Sequence, residues 1–189
     1  MSGGARTVWE QRHRQACAGS PEPFAAEMVE LLPRGIALDI AAGTGRHSLM
    51  LARAGFVVHA IDFSIPAMVG LQAAAAAQNL PIYPLVADLD AFPLPAKRYE
   101  VVVNVSFLDR RLVPALKNAL KIGGALLFDT FLVDQAEIGH PRNPEFLLRH
   151  YELRELLQGF EIARYREGLT VYPSGERAWR AGALAFRRS

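Results

Sequence analysis

The sequence predicts an α/β fold, in which short apolar strands alternate with helices around one sheet. Residues 36–40 and 99–105 are apolar runs of strand length, which are typical of strands buried on both faces of a parallel sheet. In residues 46–54 and 65–79, apolar or small residues follow a helical pattern. Residues 172–176 carry the Pro and Gly of a hairpin turn, so the chain is expected to end on two antiparallel strands.

Length and composition limit the classes of function. The 189 residues suffice for one domain, 1–189, made of two N-terminal helices in 1–34 and a sheet core in 35–189. The net charge is only +2, without long runs of like charge, which argues against a nucleic-acid partner. The single cysteine, Cys17, excludes an internal disulfide, and no signal peptide or membrane-spanning run is visible. We therefore expect a cytoplasmic protein without membrane contact.

A glycine-rich loop between the first strand and its helix is the most informative segment. Gly43 and Gly45 let the backbone pass close to a ligand, and each of the two neighbouring strands ends near a carboxylate, Asp39 and Asp62. In an open α/β sheet, ligands bind outside the carboxyl ends of the strands. A plain strand-to-helix turn would explain the glycines alone, but not two acids beside them.

Three ligands suit this arrangement, and the spacing separates them. A dinucleotide loop needs a third glycine, where this chain has Ser48. A triphosphate loop needs Lys and then Ser or Thr after its last glycine, where Arg46 and His47 stand. Asp39 repels phosphate and suits a ligand that carries an ammonium and a sulfonium group. This favours S-adenosylmethionine, and a nucleotide-dependent oxidoreductase remains a weaker alternative.

The loop Asp39-Ile-Ala-Ala-Gly-Thr-Gly45 resembles the D-x-G-x-G-x-G cofactor loop of class I S-adenosylmethionine-dependent methyltransferases. Residues 107–118 resemble the segment after the fourth strand in the tellurite-resistance methyltransferases, and the similarity extends from about Trp9 to Phe186. The resemblance implies a Rossmann-like three-layer sandwich, with a seven-stranded, mostly parallel sheet and an antiparallel C-terminal hairpin strand. It also implies S-adenosylmethionine as the cofactor and S-adenosylhomocysteine as the product.

The same resemblance assigns cofactor contacts on the strand ends. Asp62, followed by Phe63, is expected to bind both ribose hydroxyls, while Asp88 and the backbone of Leu89 are expected to bind the adenine. Asn104, at the end of the fourth strand, contacts either the methionyl end of the cofactor or the next loop.

The first N-terminal helix folds over the cofactor in these methyltransferases. Trp9, Arg12 and His13 are therefore candidates to close the site. The alternative is that Trp9 anchors the helix by burial, while Arg12 and His13 face water.

The chain departs from the family pattern at Ala41, where glycine is usual. A methyl group is tolerated there only if φ is negative and the cofactor does not touch the Cβ atom. We therefore expect a negative φ at Ala41, and cofactor binding that survives with slightly altered geometry.

The irregular segment 132–144 is the candidate acceptor loop, because loops at this edge of the sheet usually determine specificity. It carries His140 and Arg142, which are the catalytic candidates together with His13. A soft nucleophile such as a thiol needs no general base, whereas an alcohol or amine acceptor would need His13 or His140. Arg12 and Arg142 suit an anionic acceptor. No metal-ligand spacing is visible, so we expect no metal.

Two functions follow from these residues. The first is methyl transfer from S-adenosylmethionine to a small molecule, by direct displacement onto a soft or anionic acceptor. The second is a non-catalytic module that binds S-adenosylmethionine or supports a partner protein.

The sequence also predicts three local features that bear on the fold. Ser20 is expected to cap the second N-terminal helix, and Asp109 to cap the helix after the fourth strand. Residues 145–158 have helical composition and predict one continuous helix.

Overall fold

The computed structural model describes residues 19–188 and contains a single seven-stranded sheet. Its strands are β1 (Ile36–Ile40), β2 (Val57–Asp62), β3 (Ile82–Val86), β4 (Tyr99–Val105), β5 (Leu120–Phe131), β6 (Phe160–Val171) and β7 (Arg177–Arg187). Their order in the sheet is β3-β2-β1-β4-β5-β7-β6. The first five strands are parallel, while β7 runs antiparallel to both β5 and β6. The predicted fold class is confirmed.

Six helices flank the sheet in the described part of the chain. They are α1 (Pro23–Met28), α2 (Arg46–Arg53), α3 (Ile65–Ala77), α4 (Val113–Ala119), α5 (Gln135–Ile138) and α6 (Glu152–Leu156). Two short 3-10 helices occur at Val29–Leu31 and Pro144–Phe146. None of the helices described between residues 19 and 188 has the length and apolarity that crossing a membrane requires.

The apolar core lies in two layers, one on each face of the sheet. Helices α1, α2 and α3 pack on one face, and the other is covered by α4, α6 and the segment after β5. Because β1, β2, β4 and β5 are parallel, their carboxyl ends meet at one edge of the sheet. This edge holds the glycine loop and is the place where a ligand is expected.

Three local predictions are wrong. The N-cap of α1 is Glu22 rather than Ser20, because Pro23 occupies the first helical position. Asp109 accepts from the backbone N–H of Arg111 in a turn, and α4 begins only at Val113.

The predicted helix over residues 145–158 is interrupted. Leu147 is extended, and Leu148 forms a bridge with Leu132 on the strand side of the acceptor loop. Both Leu147 and Leu148 are buried, so tertiary packing overrides their helical propensity. Only residues 152–156 form an α-helix.

Candidate cofactor and acceptor site

The glycine loop has the backbone geometry that requires its glycines. Gly43 has φ 54° and Gly45 has φ 83°, both in the left-handed region. A Cβ atom on Gly45 would lie 2.3 Å from Cδ1 of Leu71, so α3 packs directly on the loop. The loop is closed by a hydrogen bond of 2.9 Å from the Gly45 N–H to the Ala42 carbonyl. Neither position accepts a larger residue without strain.

Ala41 also lies in the left-handed region, with φ 51°. The expected negative φ is therefore wrong. The loop leaves β1 through the same sharp turn that a glycine would make, and the extra methyl group is accommodated with backbone strain of roughly 1–2 kcal/mol. Ala41 is half-buried.

Asp62 is tied into the loop by neutral donors. Its Oδ2 accepts from the Gly43 N–H at 2.8 Å, and its Oδ1 accepts from the Ser64 N–H at 2.9 Å. Ser64 caps α3 through the backbone N–H of Ala67, as its place before Ile65 predicts. Each carboxylate oxygen keeps a further lone pair, so Asp62 retains capacity to accept from hydroxyl groups. Phe63 is half-buried beside it.

Asp39 is a buried carboxylate without a cationic partner among residues 19–188. It is 1% exposed, and Ser48 Oγ donates to its Oδ2 at 2.6 Å. Burial, opposed by the Ser48 hydrogen bond and reinforced by the nearby Asp62 charge, raises the pKa of Asp39 to about 7. The charged form therefore needs a positive group in contact, and residues 19–188 do not supply one, since Arg46 lowers the pKa of Asp39 only as a nearby charge.

The remaining cofactor candidates lie on the expected strand ends. Asp88 follows β3, is half-buried and accepts from the Asp90 N–H at 3.1 Å, and Leu89 is half-buried beside it. Asn104 is buried at the end of β4 and donates from Nδ2 to the Phe107 carbonyl at 2.7 Å. The Asn104 amide therefore makes the bond to the next loop that was the alternative to cofactor contact.

A buried cluster of charged side chains lies at the same edge, beyond β4. Arg180 on β7 is 1% exposed, and its guanidinium lies 2.5 Å from Asp129 on β5 and 3.4 Å from Glu22. Arg166 on β6 pairs with Asp129 at 3.2 Å, and Tyr172 donates to Glu22 at 2.7 Å. These five residues form the arginine cluster, which sequence analysis did not identify.

Gly182 makes room for the arginine cluster. A Cβ atom there would lie 2.6 Å from Asp129 Oδ2 and 2.7 Å from Phe24. Because Gly182 has no side chain, the Asp129 carboxylate and the Phe24 ring can both lie against this face of β7. The sequence contains a signal of this buried ion pair. Asp129 is the single acid within the apolar run of β5, and Arg180 is the single arginine within residues 178–186 of β7.

Helix α2 connects the glycine loop to this cluster. Arg46 reaches the Ser20 carbonyl and Ser106 Oγ, both at 3.4 Å, and Arg180 donates to the same Ser106 Oγ at 3.0 Å. His47 is buried and accepts from the Glu22 N–H at 3.1 Å. Burial and the positive charges of Arg46 and Arg180 lower the pKa of His47 to about 3, so its ring is neutral. These contacts hold residues 20–22 across the edge of the sheet.

The acceptor-side candidates are exposed. His140 and Arg142 lie in the segment after α5, where Arg142 Nε donates to the Gly139 carbonyl at 3.3 Å. The base of this loop is fixed by Gln135, which donates to the His140 carbonyl at 3.1 Å and accepts from the Trp179 N–H at 2.8 Å. The predicted contacts of Trp9, Arg12 and His13 lie outside the described residues.

No group of three or more His, Cys, Asp or Glu side chains within residues 19–188 has the arrangement of a metal site.

Comparison with known proteins identifies a domain in the part of the chain that contains the glycine loop. Residues 37–124, which include the glycine loop, match the family model described as "Methyltransferase domain". No curated protein matches the chain.

Solved structures share the fold at low sequence identity. TehB from Haemophilus influenzae superposes with a TM-score of 0.76 and 21% identity over 89% of this chain, which spans 63% of TehB. A second solved structure is described with the conversion of a disulfide bond into a thioacetal group during echinomycin biosynthesis. It superposes with a TM-score of 0.74 and 22% identity, and the match covers 96% of this chain and 92% of that one. A methyltransferase from Methanosarcina mazei superposes with a TM-score of 0.72 and 20% identity, and the match covers 90% of this chain and 99% of that one.

The family match spans residues 37–124, from β1 to the beginning of β5. The sheet continues beyond this match into β7 and β6, which form the antiparallel hairpin. Residues 37–124 thus match a methyltransferase domain, and the fold of the chain is similar to that of TehB and of a solved S-adenosylmethionine-dependent methyltransferase.

Proposed function

We propose that the chain transfers a methyl group from S-adenosylmethionine to a small molecule, by direct displacement onto a soft or anionic acceptor atom. The observation that carries the proposal is Asp39, a buried carboxylate beside the glycine loop that forms no ion pair within residues 19–188. A binding partner with an ammonium group satisfies this charge, whereas a phosphate would increase the repulsion. Asp62 offers acceptor capacity for hydroxyl groups next to it.

The described residues fit the cofactor in chemical type. Asp39 would hold the ammonium group, Asp62 the ribose hydroxyls, and Asp88 with Leu89 the adenine. When bound, the cofactor supplies a methyl group that is already activated for transfer by its positively charged sulfur. The protein then has to orient the acceptor and exclude water, and orientation alone can contribute several kcal/mol.

The acceptor side is assigned to the loop after β5. Arg142 would attract an anionic acceptor, and His140 would accept a proton if the acceptor were an alcohol or amine. His13 and Arg12 remain alternative candidates for the same two roles. A thiolate or other soft nucleophile needs no base, because its lone pair is available for attack.

A soft acceptor is supported by one structural relative. The protein described with the echinomycin pathway converts a disulfide bond into a thioacetal group, and its fold covers 96% of this chain. Sulfur chemistry is therefore compatible with this framework. We propose a small-molecule acceptor of this kind, handled in the cytoplasm without nucleic-acid or membrane partners.

The test is product formation with acceptors of different chemistry. The chain is incubated with S-adenosylmethionine and, separately, with thiols, inorganic oxyanions, carboxylates, alcohols and amines, and S-adenosylhomocysteine and methylated product are measured by mass spectrometry. The proposal predicts turnover with a thiol or an anion. Cofactor binding without methylated product from any class would instead support the non-catalytic module.

Two variants separate the roles of the loop residues. With a soft acceptor, His140→Gln is expected to leave kcat unchanged. With an alcohol or amine it should lower kcat and remove the acidic limb of the pH profile, because a general base acts only when it is deprotonated. Arg142→Gln is expected to raise KM for anionic acceptors and not for neutral ones. An equal effect of Arg142→Gln on both would contradict its assigned role.

A further inference from the structure

His150 lies between two carboxylates that belong to different parts of the chain. Its Nδ1 is 2.8 Å from Glu167 Oε1 on β6, and its Nε2 is 2.8 Å from Asp134 Oδ2, immediately before α5. A neutral imidazole has a lone pair on one nitrogen, and that nitrogen would face a carboxylate oxygen at this distance. The geometry therefore selects the doubly protonated, positively charged ring.

Glu167 is the fixed end of this arrangement. It accepts from the Tyr151 N–H at 3.0 Å and from the Tyr165 hydroxyl, in addition to His150. Arg154 on α6 lies 4.1 Å from the centre of the Tyr165 ring. Because Glu167 also accepts from Tyr151 and Tyr165, it keeps its position whether or not His150 is charged.

Asp134 is the movable end, since it begins the acceptor loop. It is the N-cap of α5 but makes no side-chain cap to that helix. Its buried Oδ2 atom lies 2.8 Å from His150 Nε2 as an ion pair, without the geometry of a hydrogen bond. The carboxylate is therefore directed to His150 rather than to its own helix. Through this contact, His150 connects the acceptor loop to the outer strand of the sheet.

The other attachments of the loop do not titrate. Leu132 and Val133 are held by backbone hydrogen bonds to Trp179 and Leu148, and Gln135 holds Trp179 and His140 through its amide. Among the contacts described for this loop, the His150 bridge is the one that changes charge near neutral pH.

We propose that His150 is a proton-dependent clasp that positions the loop carrying His140 and Arg142, closed when the ring is charged and open when it is neutral. Its consequence for the acceptor rests on the proposed function, because that function assigns the loop to acceptor binding. The clasp itself is a property of the fold and is measured without an acceptor.

The sign of the pH dependence follows from the two carboxylates. A hydrogen bond to Glu167 and the charges of Asp134 and Glu167 raise the pKa of His150 above its ordinary value of 6.5. Tyr165 donates to Glu167, Arg154 lies over the Tyr165 ring, and Arg149 pairs with Glu152 and Glu155. The clasp is fully closed below the ordinary histidine pKa and opens as the pH rises through the raised pKa.

The test is amide hydrogen exchange in α5 at pH 6.0 and pH 8.5, corrected for the intrinsic rate at each pH. The amides of Glu137 and Gly139 donate to the backbone carbonyls of Asp134 and Gln135, so their exchange reports opening of the loop. We expect exchange roughly fivefold faster at pH 8.5 in the native chain, because two half-exposed ion pairs are weakened. In Asp134→Asn, exchange should already be fast at pH 6.0 and should not depend on pH.

Glu137→Gln is the matched control. Glu137 is an exposed carboxylate on the same helix and makes no ion pair within residues 19–188, so its removal should leave the native pH response unchanged. A histidine titration by NMR gives the second measurement, in which the His150 pKa falls toward 6.5 in Asp134→Asn.

Two results would overturn the clasp. One is a native exchange rate that does not change with pH after correction, and the other is a His150 pKa unaffected by Asp134→Asn. Calorimetric titration with S-adenosylhomocysteine on the same samples keeps the two proposals apart: absence of binding contradicts the proposed function and leaves the exchange result standing.

Once an acceptor is known, the clasp predicts a further effect. Asp134→Asn should raise KM for the acceptor at pH 6.0 with little change in kcat or in cofactor affinity. A purely structural role of Asp134 would lower kcat and cofactor affinity together.

Discussion

The two ends of the carboxyl edge treat buried carboxylates in opposite ways. On the β1–β2 side, the hydrogen bonds described for Asp39 and Asp62 within residues 19–188 come from neutral groups, a serine hydroxyl and two backbone N–H groups. On the β5–β7 side, Asp129 and Glu22 are paired with the buried Arg180. The first arrangement leaves negative charge available to a cationic ligand, whereas the second is satisfied internally. A buried carboxylate therefore indicates a binding site only where no cationic side chain contacts it.

The largest effect is expected from breaking the satisfied side. Arg180→Met removes the cation and leaves Asp129 and Glu22 buried without it, which should lower the free energy of unfolding by about 3–5 kcal/mol. Urea denaturation measures the change. Arg188→Met, which breaks an exposed pair with Glu161 at the end of the same strand, is the matched control and should have little effect. Similar losses in both variants would contradict the structural role of the arginine cluster.

On the β1–β2 side, the charged form of Asp39 is expected to lower the stability of the fold. Because the Asp39 pKa rises from 3.8 to about 7 on folding, the folded state binds more protons than the unfolded state between these values. Stability should therefore fall as the pH rises from about 4 to 7, by up to about 4 kcal/mol.

Asp39→Asn tests this assignment. The variant should flatten the pH dependence and be more stable than the native chain at pH 8, while losing cofactor affinity. Thermal unfolding at a series of pH values gives the stability, and calorimetry gives the affinity. If Asp39→Asn were less stable than the native chain at pH 8, the native carboxylate would already have a cationic partner.

A smaller change in stability is expected from relieving the left-handed backbone strain at Ala41. Ala41→Gly relieves the left-handed strain but increases the entropy of the unfolded chain, so a net gain of about 0.5–1 kcal/mol is expected. Ala42→Gly, at the next position, has no positive φ to relieve and should be destabilising. Denaturation of the two variants gives the comparison, and a loss of stability in Ala41→Gly would show that the Ala41 methyl contributes packing that outweighs its strain.

The same contrast explains which features could be predicted from the sequence. The unit from β1 to β2 was predicted nearly to the residue, because its glycines, apolar runs and terminal acids are close together in the chain. The arginine cluster depends on pairs far apart: Arg180 and Asp129 are separated by 51 positions, and Tyr172 and Glu22 by 150. Local patterns contain no information on which distant acid meets which arginine.

The acceptor side illustrates the same limit. The irregular character of 132–144 was visible in its Gly and Pro residues, but the position of Leu148 beside Leu132, which interrupts the predicted helix, depends on strand packing. His150 was overlooked because its two carboxylate partners lie 16 and 17 positions away in the sequence, Asp134 before it and Glu167 after it. Titratable groups become interpretable only when their partners are known.

The most direct test of the account is calorimetric titration of the native chain and Asp62→Ala with S-adenosylmethionine, S-adenosylhomocysteine and NADH, with Glu27→Ala as an exposed-acid control. We expect both sulfur nucleosides to bind and NADH not to bind. Asp62→Ala should weaken binding about tenfold or more, through the loss of hydrogen bonds to a charged group. Binding of NADH, or equal affinity of the native chain and a folded Asp62→Ala, would contradict the cofactor site described at the ends of β1 and β2.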